Sequence, residues 1–474
     1  MTMKAVCACL AAGVAGAVLA GTYLPGEGGV SVRVWQTSGK HPFREVPNTP
    51  FSPHLYTDAA PLEVDAAEVV APYLGVGVSM TDASAWLLSQ LTPERRKALL
   101  EHVFTTKGAN LTALRLNIGA SDYSTALYTY NDTPNDVEMR NFSVARDDHW
   151  LFPMVREALA LQPEMFLYAS PWSPPGWMKD PGSFVDGNFK DGMEGALANY
   201  LVAYAKACRD RGLNLAAMTI QNEAGLSVKG MYPSCVMTGE QEARVARALK
   251  PRLLAAGLDT KVWIWDWNYE GATNRVLAQL ADAATRSAVD GVALHSYTPH
   301  PEWLRDLRAA HPDLPLYHTE QGPSLSDPSR TEFWWCRTIF GAMVNGCSLF
   351  TGWNLALTDD GQPLTGPHVC GGLLNLDVER GEWTESSLFR VFRHIGPFVK
   401  RGAQILRVQG FTDGAAVILF RNPTGEYVLV VGHNGTRPKG VLPRPRLRVR
   451  FGGQDLSLPL PFGTWSLTTL VFGP

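Results

Sequence analysis

Tyr73-Leu-Gly-Val-Gly-Val-Ser-Met80, a helical pattern from Thr92-Pro-Glu to Phe104 with a stop at Gly108, and Leu111-Thr-Ala-Leu-Arg-Leu-Asn-Ile118 form the stretch that decides the fold. The two outer segments are short, mostly apolar runs, the signature of strands buried on both faces. The middle segment has Thr92 as N-cap, Pro93 at the first helical position and Glu94 behind it, which are start signals for a helix. Strand, helix and strand in that order make a β/α unit with a parallel sheet. The alternation continues through Met165 to Ser170, Leu215 to Gln221, Val262 to Trp267, Gly291 to Ser296, Leu316 to Glu320 and Cys347 to Trp353. Helical stretches such as Ala196 to Arg211 and Glu240 to Ala256 lie between them. Eight such runs over residues 70–395 predict an α/β fold, a (β/α)8 TIM barrel.

Outside that region the pattern changes to strict alternation with turn signals. Val30 to Trp35 near the N-terminus, and Val417 to Phe420, Tyr427 to Val431, Leu447 to Phe451, Leu456 to Leu460 and Trp465 to Val471 near the C-terminus, read as antiparallel strands. Asn422-Pro-Thr-Gly is a tight turn between two of them. The economical arrangement is an attached antiparallel β-sandwich formed by both chain ends, residues 21–69 and 396–474, beside the barrel. Arg444, Arg446, Arg448 and Arg450 alternate with apolar residues, which places all four on one strand face. Such a row suits a solvated edge strand. Its functional reading is docking on an anionic membrane surface or an acidic helper protein.

Residues 1–20 read as a leader: Lys4 precedes an apolar run from Ala5 to Ala20 that ends in small residues. Export with cleavage near Ala20 implies a secreted or lumenal protein. The remaining 454 residues of the 474 suffice for one large core and a smaller one. A net charge of −3 gives no basic excess for a nucleic acid partner. Fourteen Trp and fourteen Tyr fill cores and also supply flat faces on which sugar rings stack. Cleavage leaves Cys208, Cys235, Cys336, Cys347 and Cys370, an odd set too sparse for a disulfide framework. No cysteine pair or histidine spacing resembles a zinc site, so neither a metal nor another cofactor is expected. Asn110, Asn131, Asn141 and Asn434 head glycosylation sequons.

In a barrel, catalytic groups sit at the C-terminal ends of strands. The fourth run continues as Met218-Thr-Ile-Gln-Asn-Glu223, and the seventh ends as Leu316-Tyr-His-Thr-Glu320. Two carboxylates on one rim suit glycoside hydrolysis, in which one protonates the leaving oxygen and the other attacks the anomeric carbon. A barrel alone implies no single chemistry.

These residues resemble glycoside hydrolase family 30, the family of glucosylceramidase. The resemblance extends through Gly75-Val-Gly-Val-Ser-Met-Thr-Asp-Ala-Ser84, Ala120-Ser-Asp-Tyr-Ser124, Tyr128-Thr-Tyr-Asn-Asp-Thr-Pro-Asn-Asp136, Ala169-Ser-Pro-Trp-Ser-Pro-Pro-Gly-Trp177, Gly352-Trp-Asn-Leu-Ala-Leu357 and the tail Phe389 to Lys400. It implies a retaining β-glycosidase with Glu223 as acid/base and Glu320 as nucleophile. Physical companions follow. Asn222 would point its amide at the sugar 2-hydroxyl. Arg115 would hold the nucleophile ionised, and Tyr297, beside His295, would donate to the same carboxylate. The resemblance assigns Asp82, Trp172 and Trp353 to the terminal sugar, with Trp177 and Tyr232 at the entrance. Glu223 should have a raised pKa, and the two carboxyls should lie about 5 to 5.5 Å apart, the retaining separation.

Two departures concern the loops. Ala224 follows the acid where many members have Pro, and Gly366-Pro-His-Val-Cys-Gly-Gly372 lacks an Asn that contacts the sugar, so His368 or backbone groups take its place. Glucosylceramide is the first expected substrate, on the Tyr128-Thr-Tyr and Trp353-Asn-Leu-Ala-Leu segments. An endo-acting β-1,6-glucanase is the alternative. A barrel that binds carbohydrate without cleaving it is the reading from another class.

Overall fold

The structure, a computed structural model, describes residues 31–46, 61–298, 300–409, 414–436, 446–461 and 463–473; the expected leader lies outside them. All eight expected runs are strands of one closed parallel barrel: Gly75–Met80, Ala113–Ile118, Phe166–Pro171, Ala217–Thr219, Lys261–Asn268, Gly291–His295, Leu316–Glu320 and Cys347–Gly352. The eighth closes on the first, with Leu349 opposite Gly75. Ala113, Tyr168, Ala217, Trp263, Ala293 and Leu349 fill its centre. Small residues make room there for large ones: a Cβ at Gly291 would lie 2.6 Å from Tyr317 and 2.9 Å from Trp263, whose rings stack with centroids 4.0 Å apart. The first expected helix is Pro93–Phe104, with Thr92 accepting from the Arg95 amide at 3.4 Å. A capping box of Thr238 and Gln241 starts Gly239–Ala255, one residue before the expected position.

Both chain ends build a second unit. Among the described residues it is one mostly antiparallel sheet of nine strands, in the order His41–Val46, Val32–Ser38, Ser466–Phe472, Tyr427–His433, Ala415–Arg421, Gln404–Gln409, Leu62–Pro72, Arg446–Phe451 and Gln454–Pro459. The step from Leu62–Pro72 to Arg446–Phe451 is parallel. One face packs on the barrel through Ile405, Ile418, Phe420, Val428, Val430 and Leu467. The other carries Val34, Leu62, Leu429, Val449, Leu456 and Leu470, which with Leu460 belong to one buried cluster among the described residues. The expected turn is present, with Asn422 receiving the Gly425 amide at 2.9 Å.

The two units are joined at His394, which ends the barrel's last helix, Ser387–Arg393. Thr469 Oγ1 donates to the His394 carbonyl at 2.8 Å, so it accepts from Nδ1 at 2.9 Å and leaves Nε2 to accept from Thr37 Oγ1 at 2.8 Å. Burial, aided by Arg393, depresses the His394 pKa to about 3. The ring thus stays neutral.

The arginine row is partly spent within the sheet. Arg448 and Arg450 pair with Asp455, and Arg450 also pairs with Glu63 at 3.1 Å. Arg444 and the side chain of Arg446 lie outside the described residues. Cys208, Cys235, Cys336, Cys347 and Cys370 are all free thiols.

Candidate active site

Glu320 is the last residue of the seventh strand, and its side chain is 7% exposed. Tyr297 Oη donates to its Oε1 at 2.9 Å, and Arg115 Nη1 donates to its Oε2. Arg115, fully buried on the second strand, spends its other donors on Asn222 Oδ1 at 2.8 Å, Asp266 Oδ2 at 2.9 Å and Ser170 Oγ at 3.2 Å. With Oδ1 turned to the arginine, the Asn222 amide nitrogen faces the cavity. The expected grouping of Arg115, Asn222, Tyr297 and Glu320 is therefore present.

Glu223 sits four residues beyond the short fourth strand, Ala217–Thr219, at φ +50°. Its amide donates to the Asp266 carbonyl at 3.0 Å. Trp265 and Asp266 also have positive φ, 79° and 46°, and the fifth strand shifts register there against the sixth. Left-handed backbone at non-glycine residues costs about 1 to 2 kcal/mol each. Strain of this kind concentrates at functional sites.

His295 lies beneath the cavity, fully buried. Its Nδ1 is 3.1 Å from Glu223 Oε1 and its Nε2 is 3.2 Å from Asp266 Oδ1. Burial opposes its protonation, but Glu320, Asp266 and Glu223 outweigh that and raise its pKa to about 9. Burial works against the Asp266 charge as well. Arg115, His295 and the Thr319 hydroxyl prevail and hold this carboxyl far below its usual range. Burial dominates at Glu223, whose pKa is raised, with Glu320 and Asp266 adding to the effect and His295 opposing it.

A carboxylate oxygen of Glu223, one of Glu320 and a ring nitrogen of His295 lie within 4.8 Å of one another. Such a trio has the makings of a metal cluster, yet both His295 nitrogens already face carboxylates. An imidazole carrying both protons has no lone pair for a metal. The donor set suits proton transfer instead. Arg115 and His295 are two cations against Glu223, Glu320 and Asp266, so one proton on Glu223 makes the group neutral.

Above the group opens a cavity of about 640 Å³, lined in part by Asp122, Trp172, Asn222, Glu223, Tyr232, Tyr297, Glu320, Trp353 and His368. Trp172 and Trp353 stack with centroids 5.0 Å apart, and the Arg115 guanidinium lies 4.8 Å from the Trp172 ring centroid. His368 is in the loop expected to differ, which Tyr123 fastens: its hydroxyl donates to the His368 carbonyl at 2.7 Å and accepts from the Cys370 amide at 2.6 Å.

Two expected residues are elsewhere. Asp82 is not among the residues lining the cavity and accepts from the Thr125 amide at 2.7 Å, the Thr125 hydroxyl at 2.8 Å and Trp150 Nε1 at 2.6 Å. It anchors a loop. Trp177 donates to the Asn131 carbonyl at 3.0 Å and packs against the outer core. Two residues were missed. Asp266 interrupts the apolar run Trp263-Ile-Trp-Asp-Trp267, where a lone charge near the C-terminal end of a strand was the available signal. Asp122 lines the cavity with a buried Oδ1 that has no partner, and burial, then Glu320 and Glu223, push its pKa well up.

A model of the glycosyl hydrolase family 30 TIM-barrel domain matches residues 73–370. The chain belongs to glycoside hydrolase family 30. As a family 30 member it is a β-glycosidase, an O-glycosyl hydrolase. It is 30% identical to an endo-1,6-β-D-glucanase of Neurospora crassa over 404 residues, covering 78% of this chain and 83% of that one. It is 29% identical to the lysosomal acid glucosylceramidase of Mus musculus over 381 residues, 75% of this chain and 74% of that one. Among solved structures, the endo-β1,6-glucanase BT3312 superposes with a TM-score of 0.82 at 25% identity, covering 92% of this chain and 98% of that one. These family 30 relatives carry two substrate classes in their names.

Proposed function

We propose that this family 30 enzyme cleaves β-glucosidic bonds with retention, Glu320 acting as nucleophile and Glu223 as acid/base. The observation that carries this reading is the carboxylate pair within 4.8 Å. Retaining pairs stand about 5 to 5.5 Å apart and inverting pairs about 6.5 to 9.5 Å. In the first step Glu320 attacks the anomeric carbon while Glu223 gives its proton to the glycosidic oxygen, and the leaving alcohol departs. In the second, Glu223 takes a proton from water, whose oxygen attacks the same carbon and frees the Glu320 carboxylate.

The first step moves one negative charge from Glu320 to Glu223. His295 Nδ1, 3.1 Å from Glu223 Oε1 and 4.0 Å from Glu320 Oε1, serves both states. With Arg115 charged throughout, the group stays neutral in each, and no charge is stranded in a low-dielectric site. Trp172 and Trp353 offer apolar faces to the sugar, while Asn222 and Asp122 supply polar atoms to its hydroxyls.

For the substrate, a β-1,6-linked glucan is favoured by the polar cavity wall of Asn268, Ser324, Ser326 and Arg330 and by the relatives named endo-1,6-β-glucanases. The second reading, glucosylceramide, is favoured by the exposed apolar side chain of Val369 in the cavity lining, with Leu325 and Met231 exposed beside the lining residues Ser324 and Tyr232 in sequence, and by the glucosylceramidase relative. The test is release of glucose or gluco-oligosaccharides from β-1,6-glucan, against release of ceramide from glucosylceramide. Glu223→Gln should lose about 10²- to 10⁴-fold in rate, the usual worth of a general acid, and Glu320→Gln should abolish turnover. Full activity in Glu320→Gln would remove the nucleophile assignment.

A further inference from the structure

Glu223 and Glu320, at the ends of the fourth and seventh strands, divide the rim. The eighth, second and third strands bring Trp353, Asp122 and Trp172 to one arc. The other arc takes Trp267 and Asn268 from the fifth strand and Tyr297 from beyond the sixth, and it continues into the loop after Glu320 with Ser324, Ser326 and Arg330. A cavity of about 640 Å³ is in the range that encloses drug-sized ligands and exceeds what one pyranose fills.

We propose that this second arc is the subsite for a sugar leaving group, with Arg330 as the residue that selects it; the assignment rests on the retaining β-glycosidase reading. Arg330 is fixed but not saturated. Its Nη1 donates to the Gly322 carbonyl at 2.6 Å, two residues after Glu320, and its guanidinium lies 5.1 Å from the Trp334 ring centroid. The buried Nε faces Asp327 Oδ2 at 3.5 Å in an ion pair, whereas Nη2 makes no hydrogen bond among the described residues. A planar fork whose Nη2 is free to donate suits neighbouring hydroxyls. Ser324 and Ser326, whose hydroxyl oxygens are 3.1 Å apart, extend the polar wall.

Trp267, in the same stretch of cavity lining, supplies an apolar face for a pyranose. It is held there by Gly225, where a Cβ would lie 2.1 Å from the indole Cζ3. The loop after the acid residue thus rests directly on the ring. An acyl-chain leaving group would take water from Arg330 Nη2 and from the serine hydroxyls without offering them a hydrogen bond in return.

The test uses the whole protein and two readouts. A 2-deoxy-2-fluoro-β-glucoside is first used to trap the glycosyl ester on Glu320, located by mass spectrometry. Acceptors are then added: an acceptor hydroxyl attacks the anomeric carbon, the Glu320 carboxylate leaves, and Glu223 takes the proton. Glucose or a β-linked glucobiose should reactivate the trapped enzyme at least tenfold faster than a long-chain alcohol at equal concentration. Faster reactivation by the alcohol would overturn the sugar subsite. Absence of an ester on Glu320 would instead overturn the retaining reading, and the subsite with it. In Arg330→Ala, the ratio of kcat/KM for a β-linked glucobiose to that for an aryl β-glucoside should fall about tenfold, and Arg330→Lys should recover part of it. An unchanged ratio, whatever happens to the two rates, would show that Arg330 acts only on the loop.

Discussion

His295 pulls the Glu223 pKa down while burial and the neighbouring carboxylates push it up. In His295→Gln the downward pull is lost, so the Glu223 pKa rises. The alkaline limb of kcat/KM, where the proton on Glu223 is lost, should then move to higher pH. The same change should lower kcat by roughly 10- to 100-fold, the worth of one hydrogen bond to a charged group. A fall in activity with an unmoved limb would mean that His295 only shapes the site. Glu223 and Glu320 were legible because strand ends are where a barrel exposes polar groups. Asp266 was not, because a single acid inside a run of tryptophans reads as part of the strand. The hydrogen bonds of Asp82 to Thr125 and Trp150 are distant contacts that no local pattern carries.

Among the elements, those with a clean period were read and those with broken periods were not. The barrel strands, buried on both faces, appear as apolar runs, and all eight were found. Leu62–Pro72 was missed as a strand because two register shifts against Gln404–Gln409 interrupt its alternation and leave Glu63, Asp65 and Glu68 among apolar residues. His41–Val46 escaped because it is an edge strand with an exposed face. The junction of helix Ser387–Arg393 with the sheet has a consequence for stability. An unfolded histidine titrates near 6.5, whereas His394 stays neutral down to about 3. Below pH 6.5 the unfolded chain takes up a proton that the folded chain refuses. Stability then falls by about 1.4 kcal/mol per pH unit from this group alone. Urea unfolding of wild type and His394→Gln between pH 6 and 4 should therefore diverge, the wild type losing stability more steeply. Parallel curves would contradict the buried neutral ring.

At the scale of the whole molecule, the barrel brings two carboxylates from its fourth and seventh strands together on one rim, and the sheet from both chain ends supports it from the side. Charge balance across the two proposed steps depends on Arg115 beside Glu320 and Asp266 and on His295 between Glu223 and Glu320, groups that a closed barrel brings together from strands far apart in sequence. The loops that choose the leaving group depend on this frame without being dictated by it, so the sequence specified the chemistry more fully than the substrate. The central claim is retention, and the most direct measurement is proton NMR of glucose released from an aryl β-glucoside, recorded before mutarotation. The β-anomer should form first; first appearance of the α-anomer would contradict the double displacement at Glu320.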